Sequence, residues 1–287
     1  MNTEATILAC TDGSTYAPSI YDHAIWVAQR LKIGIHVLHM IDPAADPTSL
    51  HNFSGSIGID SRRILKEELV KLEEAHGRVA QAKAAAILEA ARAHLRQAGF
   101  TNFTADARHG RLTESVDEYE VGAELVVIGK RGEAADFERL HLGANVERVI
   151  RTCRHPVLVA SRAFKPIQRV LIAYDGGPSA RKALDYTATS SLLRGLECHL
   201  LAVGKPHSKI AEDLQAAHER LESTGHKIEH HHLTGHAEDV FADFIQQNKI
   251  DLLIMGAYGH SRIRQLIVGS TTTTMVRTCR IPVLMFR

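Results

Sequence analysis

Short runs of β-branched and aliphatic residues alternate with longer stretches of helical periodicity along the chain. In the C-terminal part the runs are 169–174 (RVLIAY), 198–203 (CHLLAV), 227–233 (KIEHHHL), 251–256 (DLLIMG) and 281–286 (IPVLMF). Apolar runs separated by helices predict right-handed βαβ crossovers, and hence a mostly parallel sheet with helices on both faces. The same order recurs upstream. ILACTDGS (7–14) faces VLIAYDGGPS (170–179), AELVVIGKRG (123–132) faces IDLLIMGAYG (250–259), and RTCRHPVLV (151–159) differs from RTCRIPVLM (277–285) at two of nine positions. The chain therefore reads as two copies of one α/β unit, residues 1–161 and 168–287, each with a five-stranded sheet, joined across SRAFKP (161–166).

The repeats differ in length. Asp12 matches Asp175 at an offset of 163, but Gly99 matches Gly225 at 126, so the first unit carries 37 extra residues at about 43–79. Residues 42–61, rich in Pro, Ser and Gly, read as loop. Residues 62–98, rich in Ala, Glu, Lys and Leu, read as one long helix or as two broken near Gly77. Packing along its own domain, a lid, and a surface for another subunit are the roles open to it.

Composition narrows the function. At 287 residues with 45% hydrophobic and 23% charged positions, the chain suits two folded cores. A formal net charge of +1 supplies no global field to recruit nucleic acid or an acidic membrane. No apolar run is long enough to span a bilayer and no signal peptide is evident, so no membrane insertion and a cytoplasmic location are expected. Cys10, Cys153, Cys198 and Cys279 form no CxxC and read as reduced, buried thiols, neither disulfides nor a zinc site.

The densest chemistry lies in MGAYGHSRIRQLIVGSTTTTMV (255–276). Gly256 and Gly259 end a strand and let backbone approach a ligand closely. Gly269 opens the next helix, whose first-turn amides point outward at the positive end of the dipole. Ser270, Thr271 and Thr272 add hydroxyl donors there, while His260, Arg262 and Arg264 can add charge. Strand end, glycines, helix start and a nearby Asp175 together suit a di- or triphosphate.

With these motifs the repeated unit resembles the universal stress protein family in its tandem form, over nearly the whole chain. The resemblance implies two Rossmann-like domains. Gly256, Gly259, Gly269 and Ser270 meet the G-2x-G-9x-G-(S/T) spacing of the nucleotide-binding members without a gap. It further implies that Asp175 contacts the ribose or adenine side and that Val203 offers backbone contacts to adenine. By the same resemblance Met255 and Gly256 line base and ribose, while Gly259, His260, Gly269, Ser270, Thr271 and Thr272 hold the phosphates. ATP is the implied ligand, with the participation of Mg²⁺ left open.

The first unit departs from that pattern. Gly143 follows Gly132 after ten residues, where the spacing calls for nine, and Ala144 and Asn145 replace the hydroxyls. Residues 256–276 carry a charge of +2, whereas residues 129–150 balance to zero and place Glu147 near the helix start. A carboxylate there repels phosphate by roughly a kcal/mol. The first unit is therefore expected to bind ATP weakly or not at all.

Catalysis is not evident. Residues 256–276 hold neither the lysine of a Walker loop nor an acid to orient water, and the aspartate of YDGGPSA (174–180) precedes its glycines, unlike an adenylating loop. The resemblance implies a role in stress survival, and a nucleotide-dependent regulatory module is favoured over a slow ATPase or a scaffold with structural nucleotide. No catalytic residue is assigned. No metal site is assigned either. Within the run His230, His231, His232, strand alternation leaves only His230 and His232 on one face, a weak zinc signal, and His36 and His39 read as a partly buried hydrogen-bonded pair. The apolar last strands, 155–160 and 281–286, are edges that tend to be paired or covered, and the resemblance implies that they pair between the domains, with a homodimer of the whole chain and an unidentified regulatory protein as further expected partners.

Overall fold

The computed structural model describes residues 5–41, 59–130, 144–205, 209–257 and 270–287. The first half runs β1 (Thr6–Thr11), α1 (Ala17–Leu31), β2 (Gly34–Ile41), α2 (Ile59–Gln97), β3 (Phe103–His109), α3 (Leu112–Tyr119), β4 (Ala123–Gly129), α4 (Ala144–Thr152) and β5 (Val157–Ala160). The second half repeats the order: β6 (Arg169–Ala173), α5 (Pro178–Thr189), β7 (Glu197–Val203), α6 (Lys209–Ser223), β8 (Lys227–Leu233), α7 (Ala237–Gln247), β9 (Leu252–Gly256), α8 (Ser270–Thr278) and β10 (Val283–Phe286).

The strands lie in the order β3-β2-β1-β4-β5-β10-β9-β6-β7-β8. Pairing is parallel within each half, and β5 meets β10 antiparallel, with Val159 opposite Val283 and Val157 opposite Met285. The two five-stranded sheets thus run on into one ten-stranded sheet. Both last strands are buried along their length, because each covers the backbone edge that the other would expose. One face carries α1, α2, α5 and α6, from which Ile20, Leu88, Ala183 and Leu214 enter the core. The opposite face carries α3, α4, α7 and α8, contributing Val116, Val149, Phe244 and Met275.

The inserted segment forms a single helix. It starts at Ile59, so residues 59–61, which composition assigned to a loop, belong to the helix, and Gly77 does not break it. One glycine costs only about 1 kcal/mol among Ala, Glu, Lys and Leu neighbours, too little to end a long helix. The rest of the predicted loop, 42–58, lies outside the described residues. Toward its C-terminal end α2 buries Ala84, Leu88, Ala91 and Leu95, a stripe of helical period laid over β2 and β3. Earlier on the same helix Val70, Leu72 and Val79 are exposed.

Contacts beyond the sheet also tie the halves together. The Arg30 side chain donates to the carbonyls of Leu192 and Arg194, and Ser191 Oγ donates to the Arg30 carbonyl at 3.1 Å. Arg287 Nη1 donates to the Thr152 carbonyl at 3.0 Å. All four cysteines are buried free thiols, and burial pushes those of Cys10 and Cys198 up to about 12.

Candidate functional site

A doubly wound sheet opens a crevice where its strand order reverses, outside the carboxyl ends of the strands. In the second half the reversal falls between β6 and β9, which pair directly through Ile172 and Ile254. Asp175 lies just beyond β6, Val203 ends the neighbouring β7, and Met255 and Gly256 end β9. The fold therefore brings these four residues to one rim, with Met255 buried and Val203 half-buried.

The local chain explains their poses. Asp175 Oδ1 accepts a hydrogen bond from the Gly177 amide at 2.8 Å, and Gly176 has φ +71°, so the strand turns sharply before Pro178 opens α5. A methyl group at Gly256 would lie 2.9 Å from Ser179 Cβ and 3.0 Å from the Ala180 amide nitrogen. Glycine at 256 is thus demanded by the packing of β9 against the start of α5, whatever the site binds.

The helix opening on the far side of the motif falls where the sequence places it, since α8 begins at Ser270. Gly259, His260, Arg262, Arg264 and Gly269 lie outside the described residues, as do the side chains of Ser270, Thr271 and Thr272.

One neighbour escaped the sequence reading. Asp213, on α6, reaches over the Asp-Gly-Gly turn, so that a methyl group at Gly176 would lie 3.2 Å from its Oδ2. The local charges register on Tyr174. Burial pushes its phenol up, a hydrogen bond with Arg181 opposes that rise, and the carboxylates of Asp213 and Asp175 add to it.

The first half has the same scaffold with different chemistry. Asp12 Oδ1 accepts from the Ser14 amide at 3.0 Å, and Gly13 has φ +73°. The side chain above this turn is Ile87, whose Cγ1 would lie 2.5 Å from a methyl group at Gly13. Ile87 and Asp213 are separated by the repeat offset of 126, so an apolar side chain stands in one half where a carboxylate stands in the other. The offset matches the two positions in the sequence, and only the fold puts each of them over its turn. Lys130, next to the strand-end Gly129, donates to the Cys279 carbonyl across the junction. Glu147 occupies the first turn of α4, as the sequence predicts. Gly132 and Gly143 lie outside the described residues, as do the side chains of Ala144 and Asn145.

The other flagged histidines have partners, though not each other. His36 Nε2 lies 3.2 Å from Asp106 Oδ2, while His39 Nδ1 donates to the Thr11 carbonyl at 2.9 Å. Residues three apart on a strand point to opposite faces, so the expected His36–His39 pair does not form.

Comparison with known proteins agrees with this architecture. The Universal stress protein family matches residues 5–161 and again 166–287. The chain is 41% identical over 284 residues to Universal stress protein Slr1230 of Synechocystis sp. (strain ATCC 27184 / PCC 6803 / Kazusa), an alignment covering 98% of this chain and 99% of that protein. Among solved structures, a universal stress protein from Archaeoglobus fulgidus DSM 4304 aligns with a TM-score of 0.65 and 23% identity, over 100% of this chain and 98% of that one. A putative universal stress protein from Pseudomonas aeruginosa UCBPP-PA14 aligns with a TM-score of 0.60 and 14% identity, over 99% and 93%. These two structures share the fold.

Proposed function

The chain belongs to the universal stress protein family in its tandem form, and from that premise we propose that its C-terminal domain, 168–287, binds ATP and that the protein is a nucleotide-dependent regulatory module of the stress response. One observation carries the reading. The motif Gly256-x2-Gly259-x9-Gly269-Ser270 starts at the last residue of β9 and ends at the first residue of α8, and Asp175 follows β6, the strand that pairs with β9 at the reversal of strand order. A helix start with unpaired amides, reached from a strand end at the reversal of strand order, suits phosphates. The N-terminal domain, 1–161, binds ATP much more weakly or not at all. Ile87 stands over its turn, Glu147 sits in the first turn of α4, and Lys130 is engaged by the other half.

The test is to denature freshly purified protein, identify released small molecules by mass and count nucleotides per chain. The expected result is an adenine nucleotide in the C-terminal domain alone. Ser270→Ala should weaken it by about ten- to a hundredfold, the worth of one hydrogen bond to a charged group, and Asp12→Ala should leave the count unchanged. No nucleotide released, with no uptake of ATP and Mg²⁺, would overturn the reading, as would two sites of matched affinity. Turnover in the same preparation separates a slow ATPase, and unfolding on nucleotide removal favours the scaffold.

We further propose a cytoplasmic location, consistent with four buried free thiols. A whole-chain homodimer is part of the same proposal. Because β5 and β10 pair with each other, it would use another surface, such as the exposed Leu72 and Val79, a heptad apart on one face of α2.

A further inference from the structure

β8 is the outermost strand of the second half, and its parallel register with β7 sets His199 opposite Glu229 and Leu201 opposite His231. Strand alternation therefore divides the histidine run. His230 faces α6, where its ring lies 4.6 Å from that of His218. His231 faces α7 together with His199, and the Phe244 ring packs on both, at 5.6 Å from His199 and 4.8 Å from His231.

On that second face three ligand atoms converge. His199 Nδ1 and His231 Nε2 are 3.3 Å apart. Glu229 Oε2 lies 3.8 Å from the first and 3.9 Å from the second. Around a tetrahedral zinc ion with bonds of about 2.0–2.1 Å, ligand atoms stand about 3.3–3.4 Å apart. The two nitrogens already meet that spacing. The two edges to Glu229 are slightly long, and its side chain is two-thirds exposed, so it can close the gap by a small rotation.

The surrounding groups favour the metal-ready state. His199 Nε2 donates to Glu197 Oε1 at 3.1 Å, which places the proton on that nitrogen and turns the Nδ1 lone pair toward the cluster. A carboxylate behind a histidine ligand in this way fixes its tautomer and raises its basicity. The His199 side chain is only 5% exposed and cannot swing away. Two imidazoles and one carboxylate suit zinc and its borderline neighbours over Mg²⁺ or Ca²⁺, which take oxygen donors.

We propose that His199, His231 and Glu229 bind one divalent transition metal ion, zinc by preference, clipping β7 to the edge strand β8, with Glu197 as a positioning residue and a coordination position open to solvent. The site lies along the strands and not at their carboxyl ends, so it stands or falls independently of nucleotide binding. Strand alternation along β8 relates His230 to His232, whereas His231 meets His199 on the adjacent strand.

The full-length protein, stripped by a chelator and free of nucleotide, should take up one zinc ion per chain in competition with a chromophoric chelator. His231→Gln should weaken that uptake by at least about tenfold, and Glu229→Gln should weaken it as well. His232→Gln, one residue away on the opposite face, should leave it unchanged. Cobalt in place of zinc should give the intense visible bands of a four-coordinate ion, lost in His231→Gln. Because Glu229 is exposed, Glu229→Gln keeps the fold and decides the matter if His231→Gln does not fold. Absence of stoichiometric uptake would overturn the proposal and leave the 3.3 Å contact as a hydrogen bond between rings. Uptake indifferent to Glu229→Gln and His231→Gln, or equally sensitive to His232→Gln, would overturn it too.

Discussion

Any side chain larger than hydrogen at position 256 meets Ser179 and the backbone of Ala180 at the start of α5. Because backbone cannot move aside as a side chain tip can, Gly256→Ala should cost about 1–3 kcal/mol of stability, read by urea unfolding. Lost nucleotide binding in that variant would then report folding as much as contact, which is why Ser270→Ala is the cleaner probe. A second residue-scale effect belongs to His23, fully buried on α1, with Nδ1 donating to the Ser19 carbonyl at 2.6 Å and its ring 5.0 Å from Phe164. Burial pushes its pKa below the usual 6.5, so the native ring stays neutral while the unfolded ring takes up a proton. Its contribution to stability is complete above about pH 6.5 and is lost as pH falls through that value toward the folded pKa. The thermal midpoint should therefore drop between about pH 7 and 5, and His23→Phe should flatten that part of the profile. His226, also pushed down mainly by burial, adds in the same direction.

Among the elements, α2 shows how far local propensity reaches. Helix-forming residues carry it through Gly77, around which a built methyl group meets nothing within 4 Å. Gly77→Ala should consequently stabilise the protein by about 0.5–1 kcal/mol, seen as a higher urea midpoint with unchanged slope. A failure to stabilise would mean that the site is not open in solution. Strand period was equally legible, since the runs at 169–174, 198–203, 227–233, 251–256 and 281–286 each match an observed strand to within two residues at either end. Period alone also placed His230 and His232 on one face. It could not say which residue of β7 would lie beside His231, because register between strands follows from the crossover that joins them.

At the scale of the whole molecule, the β5–β10 junction and the Arg30, Lys130 and Arg287 contacts join the halves, which should therefore unfold together. The single tryptophan, Trp26, lies in α1 of the first half. Its fluorescence and the far-ultraviolet circular dichroism of the whole chain should lose their native signals at the same urea concentration. Two separated transitions would show that the junction contributes little.

The sequence by itself determined the duplication, the α/β class and the glycine and hydroxyl motif from strand end to helix start, because each depends on periodicity or on spacing within a short segment. It also carried the asymmetry between the halves, in the altered spacing and in Glu147. Tertiary structure alone decided that β5 and β10 meet antiparallel, that Asp213 overhangs one turn while Ile87 covers the other, and that His199 faces His231. Each of those contacts joins residues far apart in the chain. Their meeting is set by how helices pack back onto the sheet and in which register neighbouring strands align, and no local pattern encodes that.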